Sequence, residues 1–237
     1  MFELKIGIIG AMEQEVIILR DRLEEMKSWE EAGAVFYQGI LGEHEVVVTK
    51  SGIGKTLAAV TTTLLISHYQ VDIVINTGYA GGIGEGLAIG DVVISDRLAY
   101  SDVDVTAFGY EYGQMAQMPL YYQADNRLVE AAMEASSNNM LNGRVGLIVS
   151  GDTFVHSQKQ INDIKMHFPE CLANEMEGAA IAHVAHQYKI PFVVIRAMSD
   201  VGDENASVNF DEFIIEAGEK SAKMVIALLG EIKKGDF

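Results

Sequence analysis

Asp72-Ile73-Val74-Ile75-Asn76-Thr77, running straight into Gly78-Tyr79-Ala80-Gly81-Gly82, is an apolar β-branched run that stops at a cluster of glycines. A short continuous run of this kind, bounded by turn residues, fits a strand buried on both faces, as in the parallel sheets of α/β proteins. Upstream, residues 56–67 read as a helix; downstream, 78–90 read as a glycine loop and 91–95 as another strand. The alternation continues in both directions. Residues 5–9 form a strand, Gly10-Ala11 breaks it, and Val16, Leu19, Leu23 and Met26 recur at helical spacing. Strands over 34–40 and 45–49, with Gly42-Glu43-His44 between them, make a hairpin. Helices over 126–136, 157–167 and 178–188 then alternate with strands over 143–150, 172–175 and 192–198. A long helix from Asp211 places Ala217, Ser221, Met224 and Leu228 on one face. With no repeat or linker to divide it, the chain reads as one α/β domain over residues 1–237 with a mixed sheet.

Composition narrows the function. The 237 residues carry 34 Asp and Glu against 17 Lys and Arg, a formal charge of −17 that repels a phosphate backbone and argues against nucleic acid as a partner. Hydrophobic residues are 49% and charged residues 22%, and no run approaches the roughly 18 apolar residues that cross a bilayer, so no membrane partner is expected. The N-terminus has neither a basic region nor a full apolar core of an export signal, and Cys171 is the only cysteine; both fit a reducing cytoplasm. Residues 104–124 hold no period yet carry Phe108, Tyr110, Tyr112, Tyr121 and Tyr122, which is unusual for a passive connection.

Several familiar motifs fail on inspection. Gly54-Lys55-Thr56 ends like a P-loop, but Thr49 stands where its first glycine is required. Gly82-Ile83-Gly84 and Gly52-Ile53-Gly54 lack the third small residue of a dinucleotide fingerprint, since Leu87 and Leu57 occupy that place. His183 and His186 share a helix face without a third ligand near in sequence, so no metal or cofactor is inferred. Ser51 and Ser150 each precede a glycine but lack the earlier glycine of a nucleophile elbow.

What remains is a set of acids and turns at the ends of expected strands, where open α/β sheets place their ligands. They are Gly10-Ala11-Met12-Glu13-Gln14-Glu15, Asn76-Thr77-Gly78-Tyr79-Ala80-Gly81-Gly82, Asn174-Glu175-Met176-Glu177-Gly178-Ala179 and Arg196-Ala197-Met198-Ser199-Asp200. Together with Ser51-Gly52-Ile53-Gly54-Lys55 and Ser150-Gly151-Asp152-Thr153-Phe154, and in this order, they closely resemble the bacterial 5′-methylthioadenosine/S-adenosylhomocysteine nucleosidases of the nucleoside phosphorylase superfamily. The resemblance runs from Lys5 to near the C-terminus. It implies a three-layer α/β/α sandwich around a mixed, partly barrel-like sheet. The implied activity is hydrolysis of the N-glycosidic bond of 5′-methylthioadenosine and S-adenosylhomocysteine, with 5′-deoxyadenosine a further candidate, and with a small-molecule nucleoside as the only ligand.

The resemblance also assigns roles. A departing purine must accept a proton, and Asp200 matches the family's general acid, with Ser199 beside it and Phe154, Val155 and Met198 as an apolar wall that raises its pKa. Taken alone, Asp200 would read as a cap in a polar loop. Glu15 matches the base that deprotonates the attacking water; Glu13 is the nearby control, and either glutamate alone would read as a helix-start acid. Glu177 matches the residue that grips the ribose diol and Met176 its neighbour against the sugar, although Glu175 and Glu177 would otherwise read as solvent-facing helix-start residues. Arg196 matches a residue near the water whose charge would hold Glu15 ionised; its plainer reading is a structural ion-pair partner. Gly81 falls in the glycine loop, the Phe154 and Val155 backbone would read the adenine edge, and Met12, Ile53, Val105 and Phe210 would line the alkylthio end. In this family the 104–119 segment closes the neighbouring subunit's alkylthio pocket, which implies a homodimer with Phe108 and Tyr110 near the partner's site. Two residues depart from the pattern: Tyr79 stands where a small hydroxyl residue, often serine, is usual, and Ala116 where proline is common. A phosphorylase of the same superfamily would need cations for phosphate, yet residues 78–90 contain no Arg or Lys.

Overall fold

The structure is a computed structural model that describes residues 4–201, 206–233, 235 and 237, and of residues 206–212 the backbone. At its centre β1 (Lys5–Gly10), β4 (His44–Lys50), β5 (Ile73–Gly82) and β10 (Phe192–Asp200) run parallel in the order β4, β1, β5, β10. Their β-branched runs are buried on both faces, as strands between helical layers must be. β6 (Val92–Tyr100) runs antiparallel to β10 and parallel to β8 (Gly143–Ser150), which lies parallel to β9 (Ala173–Glu175). β9 returns antiparallel to β5, with Asn174 opposite Gly81. Because β5 pairs with both β10 and β9, the strands β5, β10, β6, β8 and β9 close into a small barrel. β1, β4, β3 (Ala34–Leu41) and β2 (Glu24–Glu31) extend from it as an open sheet, and β7 (Tyr122–Gln123) pairs with β6.

Helices α1 (Glu13–Arg20), α3 (Asn126–Asn138) and α6 (Ala206–Glu231) cover one side of the sheet, α2 (Lys55–Ser67) and α5 (Gly178–Tyr188) the other. α4 (Gln158–His167) adds Ile161 and Ile164 to a third apolar cluster with Leu147 and Val149 of β8. This is the expected α/β/α arrangement around a partly closed mixed sheet. On α6, Ala217, Ser221, Met224 and Leu228 are buried together, as their spacing requires. Among the described residues no helix is long and apolar enough to cross a membrane.

The structure departs from the sequence reading in four places, one of them β6, which runs on to Tyr100 where the sequence reading ends the strand at Ser95. The first helix ends at Arg20, so Leu23 and Met26 are not on it; Glu24–Glu31 is instead the edge strand β2, paired to β3. That strand is exposed on both faces and densely charged, which removes the alternation that marks a strand and protects an open edge. The 78–90 segment is not all loop, because β5 continues to Gly82 by pairing with β10 and β9. The last helix begins at Ala206 rather than Asp211.

Candidate active site

Glu15 is held by the start of α1. Met12 takes the N-cap position and Glu15, three residues on, folds back so that its Oε2 accepts the backbone N–H groups of Ala11 (2.5 Å) and Met12 (2.9 Å). Its Oε1 accepts the N–H of Tyr79 at 3.1 Å. A Cβ on Gly78 would stand 2.5 Å from that oxygen, so glycine is what lets β5 pass so close to the carboxylate. Burial raises the Glu15 pKa; the Arg196 charge and the backbone donors pull it down without cancelling the rise. Glu13 faces outward instead and pairs with Arg20 at 2.5 Å.

Asp200 ends β10 just past a bulge and lies opposite Gly81. Here too a glycine admits a carboxylate, since a Cβ on Gly81 would stand 3.0 Å from Asp200 Oδ1. The Ser199 hydroxyl donates to Asp200 Oδ2 at 2.9 Å and so sets the carboxyl's orientation. Both residues are buried.

Glu177 takes the N-cap position of α5, and its Oε1 accepts the Gly54 N–H at 2.8 Å. Burial, then the like charge of Glu175, pushes its carboxyl pKa up. Glu175 itself accepts from the Ser150 hydroxyl, from the N–H of Glu177 (3.0 Å) and from Arg196 Nη2 (2.5 Å). Arg196 Nη2 also donates to Asn76 Oδ1 at 2.6 Å, and Asn76 Nδ2 to the Ile9 carbonyl at 2.8 Å. One buried network therefore ties β1, β5, β9 and β10 together beneath the site. Arg196 is the one buried Lys or Arg among the described residues. Although burial opposes its charge, the Glu175, Glu15 and Glu177 carboxylates raise its pKa.

These elements enclose a cleft of about 340 Å³, within the size range of small-ligand pockets. Glu15, Glu177, Ser199 and Asp200 face it, and Met12, Ile53, Phe154, Val155 and Met176 line it with Gly81. Arg196 lies beneath it and reaches it only through its partners. Val105, Phe108 and Tyr110 are outside it, and Phe108 is 81% exposed. Phe210 falls in the first turns of α6, where its side chain lies outside the described residues. The sequence reading gives no site role to Asn174, Thr153 or Glu175, all of which line the cleft. The plain reading of Glu175 and Glu177 as solvent-facing fails, since both are 6% exposed. His183 receives or donates a hydrogen bond at the Tyr100 hydroxyl (3.0 Å) and stacks on Tyr122, a packing role rather than a ligand set.

A comparison across protein families matches residues 5–230 to the phosphorylase superfamily. A curated 5′-methylthioadenosine/S-adenosylhomocysteine nucleosidase from Staphylococcus aureus is 48% identical over 227 residues, covering 96% of this chain and all of the relative (100%). Among solved structures, S-adenosylhomocysteine nucleosidase from Streptococcus pyogenes in complex with 5-methylthiotubericidin superposes with a TM-score of 0.95 at 46% identity, covering 98% of each chain. A 5′-methylthioadenosine/S-adenosylhomocysteine nucleosidase from Neisseria meningitidis in complex with methylthio-immucillin-A gives a TM-score of 0.95 at 48% identity, covering 96% of this chain and 99% of that one.

Proposed function

The chain belongs to the phosphorylase superfamily, among its 5′-methylthioadenosine/S-adenosylhomocysteine nucleosidases, and from that premise we propose that its cleft hydrolyses the N-glycosidic bond of both nucleosides. The products are adenine and the 5-thio-substituted ribose; 5′-deoxyadenosine, which keeps the ribose and the base, is a further candidate. Asp200 protonates the departing adenine, whose ring lies by Phe154 and Val155. Glu15 takes a proton from the water that attacks the ribose. Glu177 accepts from the ribose hydroxyls, with Met176 against the sugar, and Met12 and Ile53 meet the 5′ substituent. Arg196 acts at one remove, fixing Glu175 and Glu177 and limiting how far burial raises Glu15. As the glycosidic bond breaks, positive charge builds on the ribose, and a cleft rich in carboxylates favours that charge.

The charge of the cleft carries hydrolysis over phosphorolysis. Among the described residues no Lys, Arg or His lines it, while Glu15 and Glu177 do, so an incoming phosphate would be repelled. Turnover of methylthioadenosine with and without inorganic phosphate tests this directly. Equal rates and a free reducing sugar are expected. A phosphate requirement with a sugar 1-phosphate product would mean a phosphorylase, and tight binding without turnover a nucleoside-binding module.

A single domain acting as a homodimer in the cytoplasm completes the reading. Supporting the dimer, Phe108, Met115, Leu57, Val60 and Tyr188 are large apolar side chains left exposed on the 104–119 loop and on α2 and α5. Tyr112 of the same loop and Tyr122 just after it, on β7, pack inward, so the aromatics divide between core and surface. Sedimentation at micromolar concentration is expected to give a dimer. Phe108→Ala should lower kcat/KM about tenfold, the order of effect of losing a buried aromatic contact. A fully active monomer would remove both claims, and an unaffected dimeric variant the shared pocket alone.

A further inference from the structure

Glycine is a poor residue for a helix interior, yet Gly218 lies inside the 26-residue helix α6. The structure supplies a reason. A Cβ on Gly218 would stand 2.6 Å from the Tyr79 hydroxyl oxygen and 3.0 Å from the Gln14 carbonyl, so the phenol occupies the space an alanine would need. Tyr79 belongs to the face of β5 that packs beneath α6. Ile73 and Ile75 share a buried cluster with Ala222 and Val225, the Thr77 and Ser221 hydroxyls meet at 2.5 Å, and Tyr79 then reaches Gly218. The ring packs in its own cluster with Ala197 and Ala217, against Met12 and Ile214. The same residue gives its backbone N–H to Glu15 and lines the cleft.

We propose that Tyr79 and Gly218 form a coupled pair that sets the seat of α6 against the Met12 end of the cleft, making Tyr79 a positioning residue that governs discrimination by the 5′ substituent. This rests on the nucleosidase reading above. If Asp200 protonates adenine, the nucleoside's base lies toward Gly81 and its 5′ arm extends toward Glu15 and Met12. Met12 and Tyr79 line that end, and behind them Ile214 and Ala217 of α6 pack on the Tyr79 cluster. A methylthio group asks little of that wall, whereas a homocysteinyl group extends farther past Met12 and Tyr79 and is the more sensitive to where α6 seats them. The distance from α6 to β5, set by how deeply the Tyr79 ring can sit on Gly218, therefore weighs on the longer substituent more than on the shorter.

The test is a double-mutant cycle of Tyr79→Ser and Gly218→Ala, read by Tm and by kcat and KM for both nucleosides. In the Tyr79 background, Gly218→Ala should lower Tm and shift the ratio of kcat/KM for S-adenosylhomocysteine over methylthioadenosine by about fivefold or more, chiefly through KM. In the Tyr79→Ser background only the 3.0 Å approach to the Gln14 carbonyl remains, so the same change should lower Tm clearly less and move the ratio less than about twofold. Equal effects in both backgrounds would overturn the pair. Coupling in Tm with an unmoved ratio would overturn the positioning role. Should Gly218→Ala fail to fold, Tyr79→Phe/Gly218→Ala, which lacks the closest oxygen, must fold better if the pair is coupled. A wild-type protein that cleaves neither nucleoside would end the nucleosidase reading, while the Tm cycle would still decide the contact.

Discussion

Asp200→Asn is expected to lower adenine release by about 10²- to 10⁴-fold while leaving a folded protein that still binds substrate analogues, because it removes a proton donor and little else. An asparagine carbonyl can still accept the Ser199 hydroxyl bond, now 2.9 Å, and the amide fits over Gly81 much as the carboxyl does. What is lost is the proton itself, without which adenine must depart as an anion. The size of the loss follows from that chemistry: a positioned acid acts only where charge develops, so kcat should fall with KM little changed. Single-turnover adenine release, analogue binding and Tm together read this out. Near-normal turnover would show that the leaving group takes its proton elsewhere.

How much of this was legible in the residues varies with burial. The parallel strands were plain because both faces are buried, so β-branched residues run without interruption, as in Ile73-Val74-Ile75. β2 was not, because an edge strand exposed on both sides carries no apolar periodicity; Glu24-Glu25-Met26-Lys27 reads as a continuation of α1. The end of β5 was hidden by its own glycines, which signal a loop yet here remove Cβ atoms so that Glu15 and Asp200 can approach a strand. Position along the chain could pick out Asp200, Glu15 and Glu177 only through the resemblance. Nothing in the composition separates Glu175 from Glu177, and only the folded network shows Glu175 bound to Arg196 and Ser150 while Glu177 faces the cleft with one oxygen on Gly54. The pairing of Tyr79 with Gly218 joins residues far apart in sequence and was likewise invisible.

Glu15→Gln should cost activity on the same scale as Asp200→Asn, about 10²- to 10⁴-fold, and Glu177→Gln should also cost far more than Glu13→Gln, which should stay within about twofold. The contrast tests geometry against sequence position. Glu13 and Glu15 lie in the same turn of α1, but Glu13 holds an outward pair with Arg20 whereas Glu15 is buried with backbone N–H groups on both of its oxygens. An amide cannot reproduce that site, because its NH2 must face either the Ala11 and Met12 donors or the Tyr79 donor, and it cannot take a proton from water. The pH profile adds a second reading. A base works ionised, and burial lifts Glu15 above the ordinary carboxylate range, so kcat/KM should fall as pH drops through a value higher than an exposed glutamate would give. Glu177 is lifted as well, by burial and then by the like charge of Glu175, so its ionisation adds to the same acid limb and should remain in Glu15→Gln. Equal losses at Glu13 and Glu15, or an acid limb in the range of an exposed carboxylate, would mean that the buried carboxylate under Gly78 is structural and that the water finds its base elsewhere.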